Sequence, residues 1–209
     1  MIVDPATMPE RESYRLMISA FIPRPIAFVS TRSLSGVDNC APFSFSMGVS
    51  SRPMVLAVSI GSRRGRPKDT ARNILETQEF VVNLVTEAIA EKMNIASGDY
   101  APEVSEFDEA GLTRAPCELV RCPRIAESPV SFECRLLQST TIADNTVCFG
   151  KVVRLHVDDA ILTGDVVDAR KLRAVGRLGA SQYCRTTDVF ELVRPRVTGP
   201  KAATPTEAR

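Results

Sequence analysis

The clearest pattern in this sequence is a strict alternation of apolar and polar residues over positions 130–136. Apolar side chains occupy the even positions, whereas serine, glutamate and arginine occupy the odd ones. Because alternate residues of a strand point to opposite faces, this pattern predicts an antiparallel strand with one buried and one solvated face. Residues 147–157 repeat the alternation, with Phe149 on the predicted apolar face and Arg154 and His156 on the polar face.

Other segments are apolar at nearly every position, which is typical of strands enclosed by the protein. They are residues 54–60 and 80–85. Residues 26–31 are rich in apolar and β-branched side chains and predict a first strand. Residues 39–47 are expected to return antiparallel to this first strand after a turn at Gly36. Pro42 lacks an N–H donor and therefore marks a sheet edge or a bulge. Residues 189–193 predict a last strand.

Helical signals are few and short. Residues 14–22 predict a helix that ends before Pro23. Residues 69–75 predict a second helix with Asp69 as its N-cap, and residues 87–96 predict a third.

The order of these elements bears on the fold class. Strands that do not alternate regularly with helices argue against a doubly wound α/β fold. The sequence predicts a mainly β fold, an antiparallel β-barrel with peripheral helices, in a single domain over residues 1–194. The acidic segment 97–110 is expected to be a surface excursion, and residues 195–209 a disordered tail.

Charge is distributed unevenly along the chain. The 209 residues carry a net charge of +1, which gives no overall attraction to nucleic acid or to an anionic membrane. Residues 61–72, however, hold five cations and one acid. No apolar run approaches the roughly 20 residues that span a bilayer, and the N-terminus does not resemble a secretory signal. A cytoplasmic location is therefore predicted, without a membrane partner.

Cysteine and histidine usage limits the possible chemistry. The six cysteines contain no Cys-x-x-Cys pair, and His156 is the single histidine. This spacing does not offer a zinc site, so we expect free thiols and no metal. A Ser-His-Asp triad would depend on His156, which lies within a predicted strand, and a satisfied structural role is the simpler reading.

The basic loop directly precedes the predicted helix at residue 69. A helix N-terminus presents unpaired N–H groups and partial positive charge, which together attract a phosphate. Arg63, Lys68 and Thr70 are candidate partners, whereas the Asp69 carboxylate should turn away. A solvated basic loop and a small nucleic-acid contact are the alternatives.

Residues 39–44 form a second candidate element. Asn39, Ser44 and free backbone amides suit the polar edge of a flat heterocycle, and Ala41 and Pro42 offer it a flat surface. An ordinary strand edge is the alternative. Short hydroxyls at strand ends also more often bond to the backbone than to a ligand, which concerns Ser30, Thr31 and Ser59. Neither a Gly-x-Gly-x-x-Gly turn nor a Walker loop is present, which disfavours a Rossmann-type site.

With these elements in order, the sequence resembles the flavin reductase-like, FMN-binding split-barrel family, in its flavoredoxin-type branch. The matching stretches are Arg24-Pro25-Ile26-Ala27, Asn39-x-Ala41-Pro42-Phe43-Ser44-Phe45, Lys68-Asp69-Thr70, Glu79-Phe80-Val81-Val82-Asn83-Leu84, Glu127-Ser128-Pro129-Val130, His156-Val157-Asp158-Asp159 and Val175-Gly176-Arg177-Leu178-Gly179. Together they cover roughly residues 14 to 194.

The resemblance implies a homodimer of six-stranded antiparallel, Greek-key split barrels with non-covalent FMN near the subunit interface. By position, the flavin would be lined by Ser30, Thr31, Asn39, Cys40, Ala41, Pro42, Ser44 and Ser59. Its phosphate would be surrounded by Arg63, Lys68, Asp69 and Thr70. Cys40 and Ser46 depart from the residues common in the family and would alter ring packing.

Two functions follow from the resemblance, and one rival follows from charge. The first is an NAD(P)H:flavin oxidoreductase that passes hydride to the flavin, with His156 and Arg177 as candidates for the nicotinamide pocket and a monooxygenase as a possible protein partner. The second is a non-enzymatic FMN electron carrier. The rival is a barrel that binds nucleic acid through the basic loop.

Overall fold

The fold is dominated by one antiparallel sheet. The computed structural model describes residues 1–63 and 65–195. The strands are β1 (Ala27–Arg32), β2 (Asp38–Phe43), β3 (Ser46–Ser51), β4 (Met54–Ile60), β5 (Ser62–Arg63), β6 (Arg66–Pro67), β7 (Glu79–Leu84), β8 (Arg114–Ala115), β9 (Arg124–Ile125), β10 (Val130–Ile142), β11 (Asn145–Val157), β12 (Leu162–Thr163), β13 (Val166–Val167), β14 (Val175–Arg177) and β15 (Tyr183–Arg185). Seven of them form the main sheet in the order β2-β1-β7-β10-β11-β4-β3. The other strands pair in four short hairpins.

Short helices surround this sheet. They are α1 (Glu10–Ala20), α2 (Asp69–Thr77), α3 (Ala90–Ala96), α4 (Glu106–Glu109) and α5 (Ala169–Leu172), with 3-10 turns at Pro5–Thr7, Glu87–Ile89 and Asp159–Ile161. In the described part of the chain, no helix combines the length and the apolar character needed to span a membrane.

Both faces of the central strands are buried. In β1, Ala27 and Val29 join a core cluster with Ile74 of α2, whereas Phe28 joins a second cluster with Met93 of α3. This two-sided packing explains the apolar run of β1, and the burial of β7 confirms the enclosed strand predicted at residues 80–85. β4 is less enclosed than predicted, because Met54 is 41% exposed and Leu56 and Ser59 are partly exposed.

The main sheet has one strand more than the six predicted. Residues 39–47 form two strands, because β2 ends at Phe43 and β3 begins at Ser46. β2 pairs antiparallel with β1 and is an edge strand, as Pro42 predicted. Gly36 has φ +90° and occupies the predicted turn between them.

The prediction of a solvated face on β10 is wrong at Ser131 and Glu133, which are both fully buried. The segment that contains Val120 and Cys122 packs over this face of the sheet against Val81 of β7. Irregularities in the β10–β11 register also shift the alternation, so that β11 buries Cys148 and Gly150 fully and the predicted core residue Phe149 only partly. All six cysteines are free thiols; Cys117 and Cys184 are partly exposed and the others are buried.

Several element boundaries also differ from prediction. α1 begins at Glu10, four residues before the predicted start. The N-cap of α2 is Lys68, so the prediction of Asp69 as N-cap is wrong by one residue. Residues 189–193 form no strand, and Phe190 is 80% exposed. The predicted tail lies outside the described residues except for Pro195, and the domain bounds stay a prediction.

His156 lies on β11 and binds the buried glutamate of β10. Its Nε2 is 2.6 Å from Oε1 of Glu133. The Glu133 carboxylate also accepts the backbone N–H groups of Glu118 at 2.8 Å and Leu119 at 2.7 Å. Burial alone would raise the pKa of Glu133, but these bonds outweigh it, so the pKa lies below its ordinary value.

Glycine at position 150 is required by the core. A Cβ at Gly150 would lie 2.3 Å from Cζ of Phe80 and 2.9 Å from Cβ of Cys134. We expect Gly150→Ala to lower the free energy of unfolding by about 2 kcal/mol in urea denaturation, because the core is overpacked. The matched control is Gly48→Ala in β3, whose Cβ meets nothing within 4 Å. Equal stability of the two variants would contradict this packing.

Glu133→Gln tests the buried carboxylate. Glutamine offers one acceptor oxygen to the donors that Glu133 satisfies, so we expect a loss of about 2 kcal/mol in unfolding free energy at pH 7. A carboxyl whose pKa is lowered by folding stabilises the protein above its unfolded-state pKa and ceases to do so as pH falls through its folded-state pKa. The difference in unfolding free energy between the wild type and E133Q should therefore shrink in acid.

The control is Glu118→Gln, which removes only an exposed ion pair with Arg154 and should cost less than about 0.5 kcal/mol. If the difference in unfolding free energy between the wild type and E133Q stayed constant down to the pH of acid denaturation, this account would be refuted.

Candidate functional site

A cleft of about 580 Å³ lies against the edge strand β2. Its other walls are the β5–β6 hairpin, the start of α2, the last residue of α3 and the segment that follows it, at positions 97–100 and 102. The hairpin is fixed to the β10–β11 turn by Ser62, whose hydroxyl donates to Asp144 Oδ2 at 2.9 Å. The cleft therefore joins the two polar elements singled out in the sequence, the basic loop and the start of β2.

Half of the predicted site residues line this cleft. They are Asn39, Ala41, Pro42, Arg63, Lys68, Asp69 and Thr70. Ala41 and Pro42 contribute a small, flat part of the wall, as predicted. Arg66, Phe43 and Tyr100 also line the cleft and were not predicted as site residues. Arg66 could have been found from its place in the basic loop, whereas Tyr100 carries no local signal.

The cleft has a surplus of positive charge at the hairpin and helix. Arg63 pairs with Asp99 at 3.1 Å, and Arg72 pairs with Asp69 at 2.7 Å. Arg66 and Lys68 make no ion pair with any residue in 1–63 or 65–195. These two cations are therefore available to an anion that enters the cleft.

The start of α2 adds backbone donors to the same region. Lys68 is extended, with φ −65° and ψ 158°, and no side chain caps the helix. The N–H groups of the first turn have no partner within a helix, and they carry partial positive charge. The Asp69 carboxylate is engaged by Arg72 and leaves these N–H groups to another anion. The arrangement can bind a phosphate group.

Asn39 lies at the junction of β2 and α2, where it is nearly buried. Its Oδ1 accepts hydrogen bonds from Thr70 at 2.9 Å and from Thr31 at 3.2 Å. Its Nδ2 donates to Oε1 of Glu106 at 2.8 Å. The Asn73 amide donates to the Thr31 hydroxyl at 3.0 Å and extends this network into α2.

Glu106 was missed by the sequence analysis, which placed it in a surface excursion. It begins α4, is 7% exposed and reaches the outer edge of β2, where its Oε2 accepts the Cys40 N–H at 3.2 Å. Burial raises the pKa of Glu106, although the bonds from Cys40 and Asn39 oppose the shift. Four other acids share its segment, so no local signal separates it from its exposed neighbours.

The remaining predicted residues support the strands instead of facing the cleft. The Ser30 hydroxyl donates to the Pro123 carbonyl at 2.6 Å, which is the structural role given as the alternative. Cys40 is buried in the cluster with Phe28. Ser44 accepts a long bond from Arg24 at 3.4 Å. Ser59 lies partly exposed on β4, opposite Val147. Thr31 serves the Asn39 network described above.

The two candidates for a nicotinamide pocket do not line this cleft either. His156 binds Glu133 on the other part of the sheet, and Arg177 bonds to the Tyr183 hydroxyl and the Ala180 carbonyl. Arg177 also pairs through its backbone with Arg24. Their roles toward a second ligand stay predictions.

Comparisons with known proteins agree with this architecture. A sequence model described as the flavin reductase like domain matches residues 18–175. A protein of Aquifex aeolicus (strain VF5) is 44% identical over 174 residues, which cover 82% of this chain and 89% of that protein. The structure of nitrilotriacetate monooxygenase component B from Bacillus cereus has a TM-score of 0.88 at 31% identity and covers 92% of this chain and 98% of that one.

A further structure bears on the fold alone. A protein from Shewanella frigidimarina NCIMB 400 with a split barrel domain has a TM-score of 0.79 at 22% identity and covers 92% of this chain and 96% of that one. The predicted mainly β split-barrel fold is confirmed. Because the domain model spans most of the sequence, this chain belongs to the flavin reductase like domain family, a family of flavin-related oxidoreductases.

Proposed function

We propose that this protein binds FMN non-covalently in the cleft beside β2 and that it is an NAD(P)H-dependent flavin reductase. The observation that carries the proposal is a pair of cations, Arg66 and Lys68, that make no ion pair with any described residue and lie at the uncapped N-terminus of α2. A phosphate there gains charge-assisted hydrogen bonds and the favourable end of the helix dipole.

The cleft suits a mononucleotide. Its cations are concentrated at one end, and two of the four in the described residues are already neutralised by Asp69 and Asp99. Arg66 and Lys68, which make no ion pair with a described residue, provide two positive charges for one phosphate dianion at a single helix N-terminus. Ala41 and Pro42 leave room for a flat ring along the strand edge.

A bound flavin supplies the hydride acceptor, so the protein needs no side-chain acid or base for that transfer. The roles left to the chain are to hold the phosphate, to orient the ring and to leave one ring face accessible to the nicotinamide. Lys68 and Arg66 serve the first role, and the β2 edge serves the second. His156 and Arg177 remain candidates for contacting the nicotinamide from outside this cleft.

The protein partner we propose is an oxygenase that consumes reduced flavin. The likeness to a monooxygenase component at 31% identity supports this choice. A second candidate function is an electron carrier with the same FMN site, which would exchange electrons with a protein and not with NAD(P)H. The cytoplasmic location predicted from the sequence is compatible with either function.

We further propose that the chain forms a homodimer. Helix α1 buries none of its residues, and Tyr14 and Met17 on it are about half exposed. Phe21 after the helix is 75% exposed, and Met47 on the edge strand β3 is 61% exposed. Apolar surface of this extent favours a second copy as its cover. Light scattering coupled to size-exclusion chromatography should give a particle mass twice the chain mass of 22.8 kDa.

The reductase activity is tested by a visible spectrum after incubation with FMN and desalting, followed by anaerobic addition of NADH or NADPH. We expect about one retained flavin per chain and rapid bleaching with at least one nicotinamide. Retained FMN without bleaching by either would identify the electron carrier instead. A protein that retains no flavin and does not oxidise NAD(P)H with added flavin would refute both.

The phosphate site is tested with Lys68→Gln and with riboflavin, which lacks the phosphate. Loss of one charge-assisted bond should raise the FMN dissociation constant about tenfold or more. The riboflavin dissociation constant should not change, because Lys68 would contact only the phosphate. Lys151→Gln, at an exposed position of β11, is the matched charge control and should bind both flavins normally. If Lys68→Gln weakened the binding of FMN and of riboflavin equally, Lys68 would not be a contact of the phosphate.

A further inference from the structure

The side chain of Asn39 has one hydrogen-bonding position left. Its oxygen uses both lone pairs for Thr31 and Thr70, and one N–H of Nδ2 is given to Glu106. An amide carries a second N–H, for which the described residues provide no acceptor. Because Asn39 lines the cleft, that N–H is the group it can offer to a ligand.

The carboxylate of Glu106 determines which way this amide faces. An ionised carboxylate accepts hydrogen bonds only, and here each oxygen receives one, from Asn39 Nδ2 at 2.8 Å and from the Cys40 N–H at 3.2 Å. If the amide of Asn39 were reversed, its oxygen would face Oε1 of Glu106, and two acceptors would oppose each other. Burial of Glu106 makes that arrangement costly.

We propose that Glu106 is a positioning and specificity-determining residue that holds Asn39 as a hydrogen-bond donor to the cleft. The ligand edge beside Asn39 must then present an acceptor, such as a carbonyl oxygen or an unprotonated ring nitrogen. For the FMN of the proposed function, on which this inference rests, Asn39 meets one of the acceptor atoms of the ring system and not its N–H.

The substitution Glu106→Gln distinguishes the positioning of Asn39 from a purely electrostatic effect of Glu106 on FMN binding. Removal of a negative charge from a cleft that binds a phosphate should tighten FMN binding if charge alone mattered. Glutamine, however, has one acceptor oxygen for the two donors of Asn39 and Cys40, so either the amide of Asn39 turns or one bond is lost. Positioning therefore predicts weaker binding, which is the opposite sign.

The experiment measures FMN dissociation constants for the wild type, E106Q, Asn39→Ala and the double variant, with Glu109→Gln as control. Glu109 lies on the same helix and is exposed. We expect E106Q to raise the constant about tenfold and shift the absorption of the bound flavin, and E109Q to change neither. Because Glu106 acts through Asn39, E106Q should add nothing in the N39A background.

Several results would overturn the inference. One is an E106Q variant that binds FMN as tightly as the wild type or more tightly. Another is a double variant whose loss of FMN affinity equals the sum of the two single losses. A wild-type protein that binds no FMN would instead refute the proposed function and this inference with it.

A second measurement does not depend on the folding of any variant at position 106. In ¹⁵N–¹H spectra of the wild-type protein, the side-chain NH₂ signal of Asn39, assigned by its absence in Asn39→Asp, should shift on addition of FMN. An Asn39 signal that does not move while FMN binds would overturn the inference.

Discussion

Asn83 is fully buried in the centre of the main sheet, and its amide joins four segments of the chain. It donates to the Phe28 carbonyl at 2.9 Å and the Ser30 hydroxyl at 3.1 Å, and accepts from the Ser131 hydroxyl at 2.8 Å and the Ile125 N–H at 3.0 Å. A sheet covered on both faces leaves no water for such groups, so each must be satisfied by the protein. Every polar position of Asn83 is used, and the neighbouring serines are used with it. The buried serines at positions 30 and 131 and the backbone of Ile125 in β9 meet this requirement.

Asn39 lies at the edge of the same sheet and obeys the same requirement less completely. Edge strands present unpaired backbone groups, which proteins usually cover. Here Glu106 covers the Cys40 N–H and at the same time engages the Asn39 amide. The two asparagines differ by one N–H that has no acceptor among the described residues, and that N–H belongs to the asparagine that lines the cleft. The Asn39 side chain therefore keeps one N–H donor that the described residues do not satisfy and that a ligand in the cleft can use.

Local rules recovered the features that depend on neighbours in sequence. The apolar runs of β1 and β7, the turn at Gly36 and the edge position of Pro42 follow from side-chain pattern and backbone geometry alone. The burial of Glu133 and Glu106 could not be predicted in this way, because their partners lie far along the chain. Glu106 and Asn39 are 67 positions apart. A carboxylate in an acidic stretch looks solvated until the fold places two N–H donors against it.

The error at the start of α2 has a physical explanation that bears on function. Sequence rules look for a side chain that caps the first N–H groups, and Asp69 was the best candidate. The structure instead has Lys68 at the N-cap and turns the Asp69 carboxylate to Arg72, so that no side chain caps the helix. This uncapped helix end lies beside two cations, Arg66 and Lys68, that make no ion pair with a residue the structure describes. A phosphate at this position would meet the free N–H groups and both cations at once, and this shared demand is the physical basis of the FMN site that we propose.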